Sequence, residues 1–302
     1  MTETASAERE PDFVPSAGNP PPHPRPTKPR LVLPPGSTDA HCHVFGPGAV
    51  FPYSPDRTFT PVDAPRELVA ERQRFLGLER AVIVQSSCHG TDHRALVDAL
   101  RADPVNRRGV AILGPELGPA DLEALDREGV RGARLHFLPH LGATPEPTEQ
   151  SAVLRAIADL GWHAEIHVQG SGVTDHQQMI AAIPGPVVID HMARVDLRHG
   201  LDGPAVRSLM DLLDRGNVWV KVSGADRVSA QGAPYADAIA LAALLVERFP
   251  ERVMWGTDFP HPNILGTAPD DGLLVDLIEL MAPTQALREA LLVTNPAGFF
   301  GF

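Results

Sequence analysis

Short runs rich in β-branched and small apolar residues alternate along the chain with segments whose apolar residues recur at helical spacing. This alternation constrains the fold more than any other feature, because strand–helix–strand units build parallel sheets through right-handed crossovers. Eight such units predict an α/β fold, a single-domain (β/α)8 TIM barrel over residues 31–302. The predicted strands are Thr38–Val44, Ala81–Ser87, Gly109–Gly114, Gly132–Phe137, His163–Val168, Val187–Met192, Val218–Gly224 and Val253–Asp258.

The segments between the strands predict the helical layer of this barrel. The rival arrangement, a doubly wound open sheet, more often carries a glycine-rich phosphate loop after its first strand. Here the first strand ends in His-Cys-His instead, which favours the barrel. The predicted helices are Arg66–Leu76, Asp92–Arg101, Ala120–Glu128, Ser151–Leu160, His176–Ile183, Pro204–Leu213, Tyr235–Phe249, Asp270–Met281 and Thr284–Val293.

Residues 1–30 differ from the rest of the chain. Ten prolines lie between Pro11 and Pro35, including three in a row, and the segment has almost no periodic apolar pattern. Such a composition favours extended polyproline conformations and buries little surface. We expect a loose, flexible proline-rich N-terminal arm, although it could also wrap the barrel or a neighbouring subunit of a homo-oligomer. The sequence leaves the number of subunits open.

Charge and composition exclude several classes of partner. The chain has 26 basic and 38 acidic residues, a net charge of −12, which argues against nucleic acid and anionic membrane surfaces. No apolar run approaches the roughly 20 residues that a membrane span needs, and the N-terminus does not resemble a secretory signal. Two cysteines are too few for a disulfide framework and suit a reducing compartment. We therefore expect a soluble cytoplasmic protein.

Polar side chains collect at the carboxyl ends of the predicted strands, where barrel enzymes carry their active sites. Alternate residues of a strand face the same way, so His41 and His43 point inward while Cys42 faces the helices. Burying several imidazoles and a carboxylate without partners would cost several kcal/mol, and a divalent metal is the natural compensation. The other strand-end candidates are Arg134, His136, His167, His191 and Asp258.

Several longer motifs resemble the 2-pyrone-4,6-dicarboxylate lactonase-like branch of the amidohydrolase superfamily, from about Leu33 to Phe302. The resemblance implies a (β/α)8 hydrolase whose site contains the first-strand histidines, His191 and Asp258. The motifs that carry it are Asp39-Ala40-His41-Cys42-His43-Val44-Phe45-Gly46-Pro47, Phe51-Pro52-Tyr53-Ser54-Pro55, Val84-Gln85-Ser86-Ser87-Cys88-His89-Gly90, Ile189-Asp190-His191-Met192, Lys221-Val222-Ser223-Gly224 and Trp255-Gly256-Thr257-Asp258-Phe259-Pro260-His261-Pro262-Asn263.

The chain also departs from the lactonase pattern. Phe59 stands where that pattern has a tyrosine, and His140 stands where it has an arginine that grips a substrate carboxylate. Replacing arginine by histidine removes a planar fork of donors that pairs bidentately with carboxylates. We therefore expect a substrate other than the pyrone dicarboxylate. The arginines that match the pattern, Arg134, Arg194 and Arg227, are expected to hold the anionic groups of the substrate, with Ser87 and His140 as further pocket candidates.

The metal-independent lactonase has a tyrosine at the end of its fifth strand, whereas this chain has His167. With it, His41, His43, His167 and Asp258 match the ligand set of mononuclear metal members of the superfamily. This set predicts one divalent cation, with Zn²⁺ favoured, and leaves a coordination position for water. The alternative is that His167 only hydrogen-bonds the substrate, as the tyrosine would.

The resemblance implies hydrolysis of a small anionic lactone in aromatic-compound catabolism, for example a muconolactone such as 4-sulfomuconolactone. Metal-activated water would attack the lactone, Asp258 would act as general base, and His191 would stabilise the oxyanion. Two alternatives are a metal-independent 2-pyrone-4,6-dicarboxylate lactonase and a metal-dependent decarboxylase of the same superfamily. A third is a catalytically silent barrel that binds acidic metabolites.

Overall fold

The computed structural model describes residues 19–138, 141, 147–264 and 266–302. Its eight parallel strands follow one another around a barrel in sequence order, β1 to β8, which confirms the (β/α)8 prediction. No helix in the described ranges is long and apolar enough to cross a membrane. The strands are β1 Thr38–Cys42, β2 Arg80–Val84, β3 Arg107–Ala111, β4 Val130–His136, β5 His163–His167, β6 Val187–Ile189, β7 Val218–Lys221 and β8 Val253–Met254.

The helices form the outer layer and differ from the prediction mainly by being divided. The helix predicted over His176–Ile183 is the short helix Gln177–Ala181, which a separate short helix, Gly172–Asp175, precedes. The helix predicted over Asp270–Met281 is divided at Leu277. The α-helices are α1 Arg66–Leu76, α2 Arg94–Ala102, α3 Pro119–Arg127, α4 Pro147–Asp159, α5 Gly172–Asp175, α6 Gln177–Ala181, α7 Pro204–Leu213, α8 Ala225–Val228, α9 Ala236–Arg248, α10 Asp271–Asp276, α11 Ile278–Met281, α12 Gln285–Glu289 and α13 Asn295–Phe300, with a π-helical turn over Ala290–Thr294.

The last strand is shorter than predicted and leads into the seam that closes the barrel. We expected it to reach Asp258, but it ends at Met254, and Asp258 has a positive φ of 60° that no extended strand adopts. Beyond β8 the backbone instead bonds to β1 and the residue after it. Ala40 N donates to Trp255 O (2.9 Å), Asp258 N to His41 O (2.8 Å), and His43 N to Phe259 O (2.7 Å). The seam thus sets the first-strand histidines beside Asp258.

Two apolar layers hold the barrel together. The larger packs the outer faces of the strands against the helices and includes Cys42, as the strand alternation predicts. The smaller fills the barrel interior below the site with mainly small and branched side chains, and the C-terminal Phe300 joins it. Polar groups are therefore concentrated at the carboxyl end of the strands, where the apolar interior stops.

The described part of the proline-rich arm, residues 19–30, contacts the barrel. The Thr27 hydroxyl donates to Asp270 Oδ2 (2.7 Å), and Arg30 Nε donates to Asp276 Oδ2 (3.0 Å). Residues 1–18 lie outside the described ranges, so a loose arm stays a prediction.

Gly256 lies where the seam leaves no room for a side chain. A Cβ at this position would stand 2.5 Å from His41 N and 2.8 Å from His41 Cβ. Because the obstruction includes backbone, we expect Gly256→Ala to lower the free energy of unfolding by about 2–3 kcal/mol, measured by urea denaturation. The control is Gly298→Ala in α13, where an added Cβ would meet no atom within 4 Å, and it should stabilise by about 0.5–1 kcal/mol. Equal changes in the free energy of unfolding for the two variants would contradict close packing at the seam.

Candidate active site

A cleft with about 370 Å³ of space free of protein atoms opens at the carboxyl end of the strands. Nearly all of the sequence-predicted residues that the structure describes face it; His41 lies directly behind, and His140 lies outside the described residues. The lining side chains are His43, Phe59, Ser86, Ser87, Arg134, His136, Leu141, His167, His191, Arg194, Arg227, Asp258, Pro262 and Asn263.

Three imidazole nitrogens surround one carboxylate oxygen of Asp258. The distances to Asp258 Oδ1 are 3.1 Å from His43 Nε2, 3.7 Å from His41 Nε2 and 3.8 Å from His191 Nε2. Ligand atoms of His41, His191 and Asp258 all lie within 4.8 Å of one another, which is compatible with a shared cation. His167 is not in this group, although its Nε2 is buried without a hydrogen-bond partner.

The hydrogen bonding of His43 supports a cation at this place. Its Nδ1 lies 2.7 Å from the carbonyl oxygen of Val84, an acceptor, so a ring with a single proton carries it on Nδ1 and has its lone pair on Nε2. That lone pair faces Asp258 Oδ1 at 3.1 Å, and two acceptors so close repel each other unless a proton or a cation lies between them. His41 Nε2 is also buried without a partner. The donor set, imidazole with carboxylate, is one that Zn²⁺ binds.

A buried ionic network lies beneath His41. The sequence leaves open whether Lys221 contacts the substrate or is a buried lysine paired with a carboxylate, and the structure shows the pairing. Lys221 Nζ is 2.5 Å from Glu165 Oε2, 3.4 Å from Asp190 Oδ1 and 3.0 Å from His41 Nδ1. His41 Nδ1 lies 3.1 Å from Asp190 Oδ1. The network therefore fixes the ring of His41 from behind and turns Nε2 toward the cleft. Glu165 lies two residues before His167 on β5, so the two side chains face the same way. This alternation is the sequence signal that could have identified Glu165 as an inward-facing residue.

Burial keeps three imidazoles of the site, those of His41, His167 and His191, in the neutral form that a metal ligand requires. It lowers the pKa of His191 to about 3 and holds the pKa values of His41 and His167 well below the usual range. Burial alone would raise the pKa of Asp258, but the positive charge of Arg227 holds it well below its ordinary value. The site thus combines neutral rings with an ionised carboxylate.

An unusual turn presents His191 and Arg194 to the cleft. After β6 the four residues His191–Arg194 all have positive φ, between 45° and 58°. Residues with a Cβ rarely adopt this conformation, so the surroundings must hold it. Ser223 Oγ lies 2.9 Å from His191 Nδ1, and a Cβ on Gly224 would meet the His191 ring at 3.1–3.2 Å. The sequence offered no glycine or proline to indicate this turn.

The three arginines predicted to bind the substrate have different partners. Arg134 Nη2 pairs with Asp190 Oδ2 at 2.8 Å. Arg227 Nε pairs with Asp258 Oδ2 at 2.5 Å, and its Nη2 donates to the Pro262 carbonyl at 2.7 Å. All three line the cleft, yet two already have a carboxylate partner.

Arg194 has no carboxylate partner among the described residues. Its Nε is buried without a hydrogen bond, and burial, together with the nearby Arg227, lowers its pKa to about 10. A partly buried guanidinium that no carboxylate pairs with attracts an anion. Arg194 therefore differs from Arg134 and Arg227 in lacking a described carboxylate partner, which makes it a candidate for binding an anion.

Sequence reasoning also missed part of the wall of the cleft. Ser86, Leu141, Pro262 and Asn263 line it without having been proposed for the site. Phe59 lines it at the position where the sequence departs from the lactonase pattern. Ser87 lines it as predicted, and His136 Nδ1 lies 3.1 Å from His167 Nδ1. The missed residues belong to loops, where neither strand parity nor helical spacing indicates direction.

Known proteins share this fold and align with about nine-tenths of this chain. The family model described as Amidohydrolase matches residues 38–302. A 2-pyrone-4,6-dicarboxylate hydrolase of Comamonas testosteroni is 41% identical over 280 residues, covering 90% of this chain and 92% of the relative. A 4-sulfomuconolactone hydrolase of Rhizobium radiobacter is 37% identical over 276 residues, covering 90% of this chain and 92% of the relative.

Among solved structures, an apo crystal structure of an Agrobacterium tumefaciens protein is 29% identical with a TM-score of 0.80. The match covers 91% of this chain and 98% of that one. These findings confirm the resemblance that the strand-end motifs carry. The chain therefore belongs to the amidohydrolase family and is an enzyme of its 2-pyrone-4,6-dicarboxylate lactonase-like branch.

Proposed function

We propose that this enzyme hydrolyses the ring ester of a small lactone that carries a carboxylate or a sulfonate. The observation that carries the proposal is the pairing of two features in one cleft. Arg194 is a partly buried cation with a buried, unbonded Nε and no carboxylate partner in the described part of the chain, and it lines the same cleft as the carboxylate of Asp258 and its surrounding imidazoles. Arg194 suits the binding of an anionic group, and Asp258 with its imidazoles suits the attack of water on a carbonyl carbon.

Asp258 is the base of the proposed reaction. Its Oδ2 is held by Arg227, which leaves Oδ1 toward the imidazoles and the cleft. Oδ1 accepts a proton from the attacking water, whose oxygen bonds to the lactone carbonyl carbon. The bond between that carbon and the ring oxygen then breaks, and Asp258 returns the proton to the departing ring oxygen. The product is a hydroxy acid.

His191 stabilises the negative charge that develops on the carbonyl oxygen. The ring is neutral because burial lowers its pKa to about 3. When Ser223 Oγ donates to Nδ1, the proton of the ring resides on Nε2, which lies at the cleft and donates to the oxyanion. Arg194 meanwhile fixes the anionic substituent, so that the carbonyl carbon is oriented toward Asp258.

We propose that His41, His43, His167 and Asp258 hold one divalent cation, Zn²⁺ by preference. The buried, unpartnered Nε2 atoms of His41 and His167 and the lone pair of His43 support this set. A bound cation would acidify water, which matters because the low pKa of Asp258 makes that carboxylate a weak base. The closer group of His41, His191 and Asp258 gives the competing assignment, with His191 as a ligand.

A substrate panel tests the reaction. We expect ring opening of 4-sulfomuconolactone, followed by its carboxylated analogues, with no release of CO₂. 2-Pyrone-4,6-dicarboxylate is the matched comparison, because Phe59 and His140 depart from the pattern expected for it. Release of CO₂ from a muconate or aromatic acid would indicate a decarboxylase instead. Binding of these anions without turnover would indicate a silent barrel.

Metal content separates the two ligand assignments. We expect His167→Gln to lose most of the bound metal and turnover together, because it removes a ligand of the proposed set. His191→Gln should keep the metal and lose turnover about 10²-fold, because it removes only the group that stabilises the oxyanion. Elemental analysis of each purified variant measures this. The reverse result would make His191 the ligand, and full activity of metal-free wild-type protein would contradict metal dependence.

A further inference from the structure

The loop that follows Asp258, residues Phe259–Asn263, has a backbone that its own sequence does not favour. Asp258, His261 and Asn263 have φ values of 60°, 64° and 54°, in the region that side chains disfavour. Such a conformation persists only where surrounding contacts hold it. We call this segment the β8 loop. Its end carries Asn263, which lines the cleft.

Asn19, from the proline-rich arm, bonds directly to this backbone. Its Oδ1 accepts from Asn263 N at 2.7 Å, and its Nδ2 donates to His261 O at 3.3 Å. Its own backbone N–H donates to Thr60 O at 3.1 Å. Asn19 is only 6% exposed, so water does not readily replace these bonds. One arm residue therefore joins the β8 loop to the segment before α1.

Both segments that Asn19 joins contribute to the wall of the cleft. Phe59, next to Thr60, lines it on one side, and Asn263 lines it on the other. Between His261 and Asn263 lies Pro262, whose carbonyl accepts from Arg227 Nη2 at 2.7 Å. Arg227 in turn holds Asp258 Oδ2 through its Nε. A short series of bonds thus connects Asn19 to the proposed base, although Asn19 does not line the cleft.

We propose that Asn19 is a positioning residue, through which the N-terminal arm fixes the β8 loop and with it the orientation of Arg227 and Asp258. The arm then contributes to the organisation of the site, although none of its described side chains, from residue 19 onward, lines the cleft. The effect on catalysis rests on the proposed function, whereas the effect on the loop does not.

Hydrogen–deuterium exchange of the full-length protein tests the loop directly. In Asn19→Ala the Asn263 amide loses its acceptor, and peptides that cover residues 259–264 should exchange about tenfold faster. Asn19→Asp keeps an oxygen for that amide and should retain most of the protection. Thr27→Val removes the hydroxyl that bonds Asp270, farther along the arm, and should leave exchange of the β8 loop unchanged.

Steady-state kinetics on the lactone test the consequence for catalysis. We expect kcat of Asn19→Ala to fall about tenfold with little change in KM, because Arg194 still holds the anion while Asp258 is less well oriented. Thr27→Val should keep wild-type kinetics. Unchanged exchange in Asn19→Ala, or equal acceleration in Thr27→Val, would overturn the proposal. If no lactone is hydrolysed by the wild type, the proposed function fails and the exchange result still decides the role of Asn19.

Discussion

Asp258→Asn is expected to reduce lactone turnover about 10³-fold, the upper part of the range that a positioned acid–base group contributes. The amide has nearly the size of the carboxylate but cannot accept the proton from water at Oδ1. It also removes the anion that three imidazole nitrogens face within 3.8 Å, so bound metal should decrease as well. Initial rates of ring opening and elemental analysis of the same preparation measure both effects.

The variant also leaves Arg227 without its anionic partner, which lowers stability because an uncompensated buried charge is costly. Adding Arg227→Met should restore stability, measured by the midpoint of thermal unfolding, without restoring turnover. Asp214→Asn, which removes a surface carboxylate paired with Arg248, is the matched control and should behave as wild type. Near-normal turnover in Asp258→Asn would exclude this residue as the base.

Arg194→Met is expected to raise KM for the anionic lactone by about 10- to 100-fold, the effect of losing a hydrogen bond between charged groups. For a neutral ester of the same lactone, KM should rise far less, because the ester has no anionic group to pair with the guanidinium. Thermal stability of the free protein should be equal or higher, since the substitution removes a partly buried charge that no described carboxylate pairs with. If an added anion raises the thermal stability of the wild type, that increase should be lost in Arg194→Met.

Arg198→Met is the matched control for Arg194→Met. Arg198 lies four residues further along the same connection, where its exposed guanidinium pairs with Asp196 at the surface. We expect unchanged KM for both substrates in this control. If Arg194→Met weakened the neutral and the anionic lactone equally, its role would be in shaping the cleft and not in binding the anion.

Strand parity and strand ends were sufficient to predict the fold and the place of several candidate site residues. His43 lines the cleft, His41 lies directly behind it, and Cys42 faces the helices, because side chains alternate on a strand. His191 and Asp258 reach the cleft because parallel strands end at one face of a barrel. These predictions depend on local periodicity and on a topology that has few alternatives.

Contacts between distant segments could not be predicted in this way. The pairing of Arg227 with Asp258 joins two loops, and the left-handed turn at His191–Arg194 has no glycine or proline to indicate it. Asn19 belongs to a segment that its composition describes as a loose arm, yet it is buried against the β8 loop. In each case the conformation is determined by tertiary contacts and not by the propensity of the residue.

The seam between β1 and the residues after β8 has a consequence for how the enzyme acquires its activity. His43 and Asp258 are 215 residues apart in the chain, yet they lie at 3.1 Å across the seam. We expect contacts of such separation to form late, because the loss of chain entropy precedes the gain from the contact. The site is therefore incomplete until the last strand docks. A nascent chain lacking its final βα unit holds His41 and His43 without their carboxylate, so activity appears only when the barrel has closed.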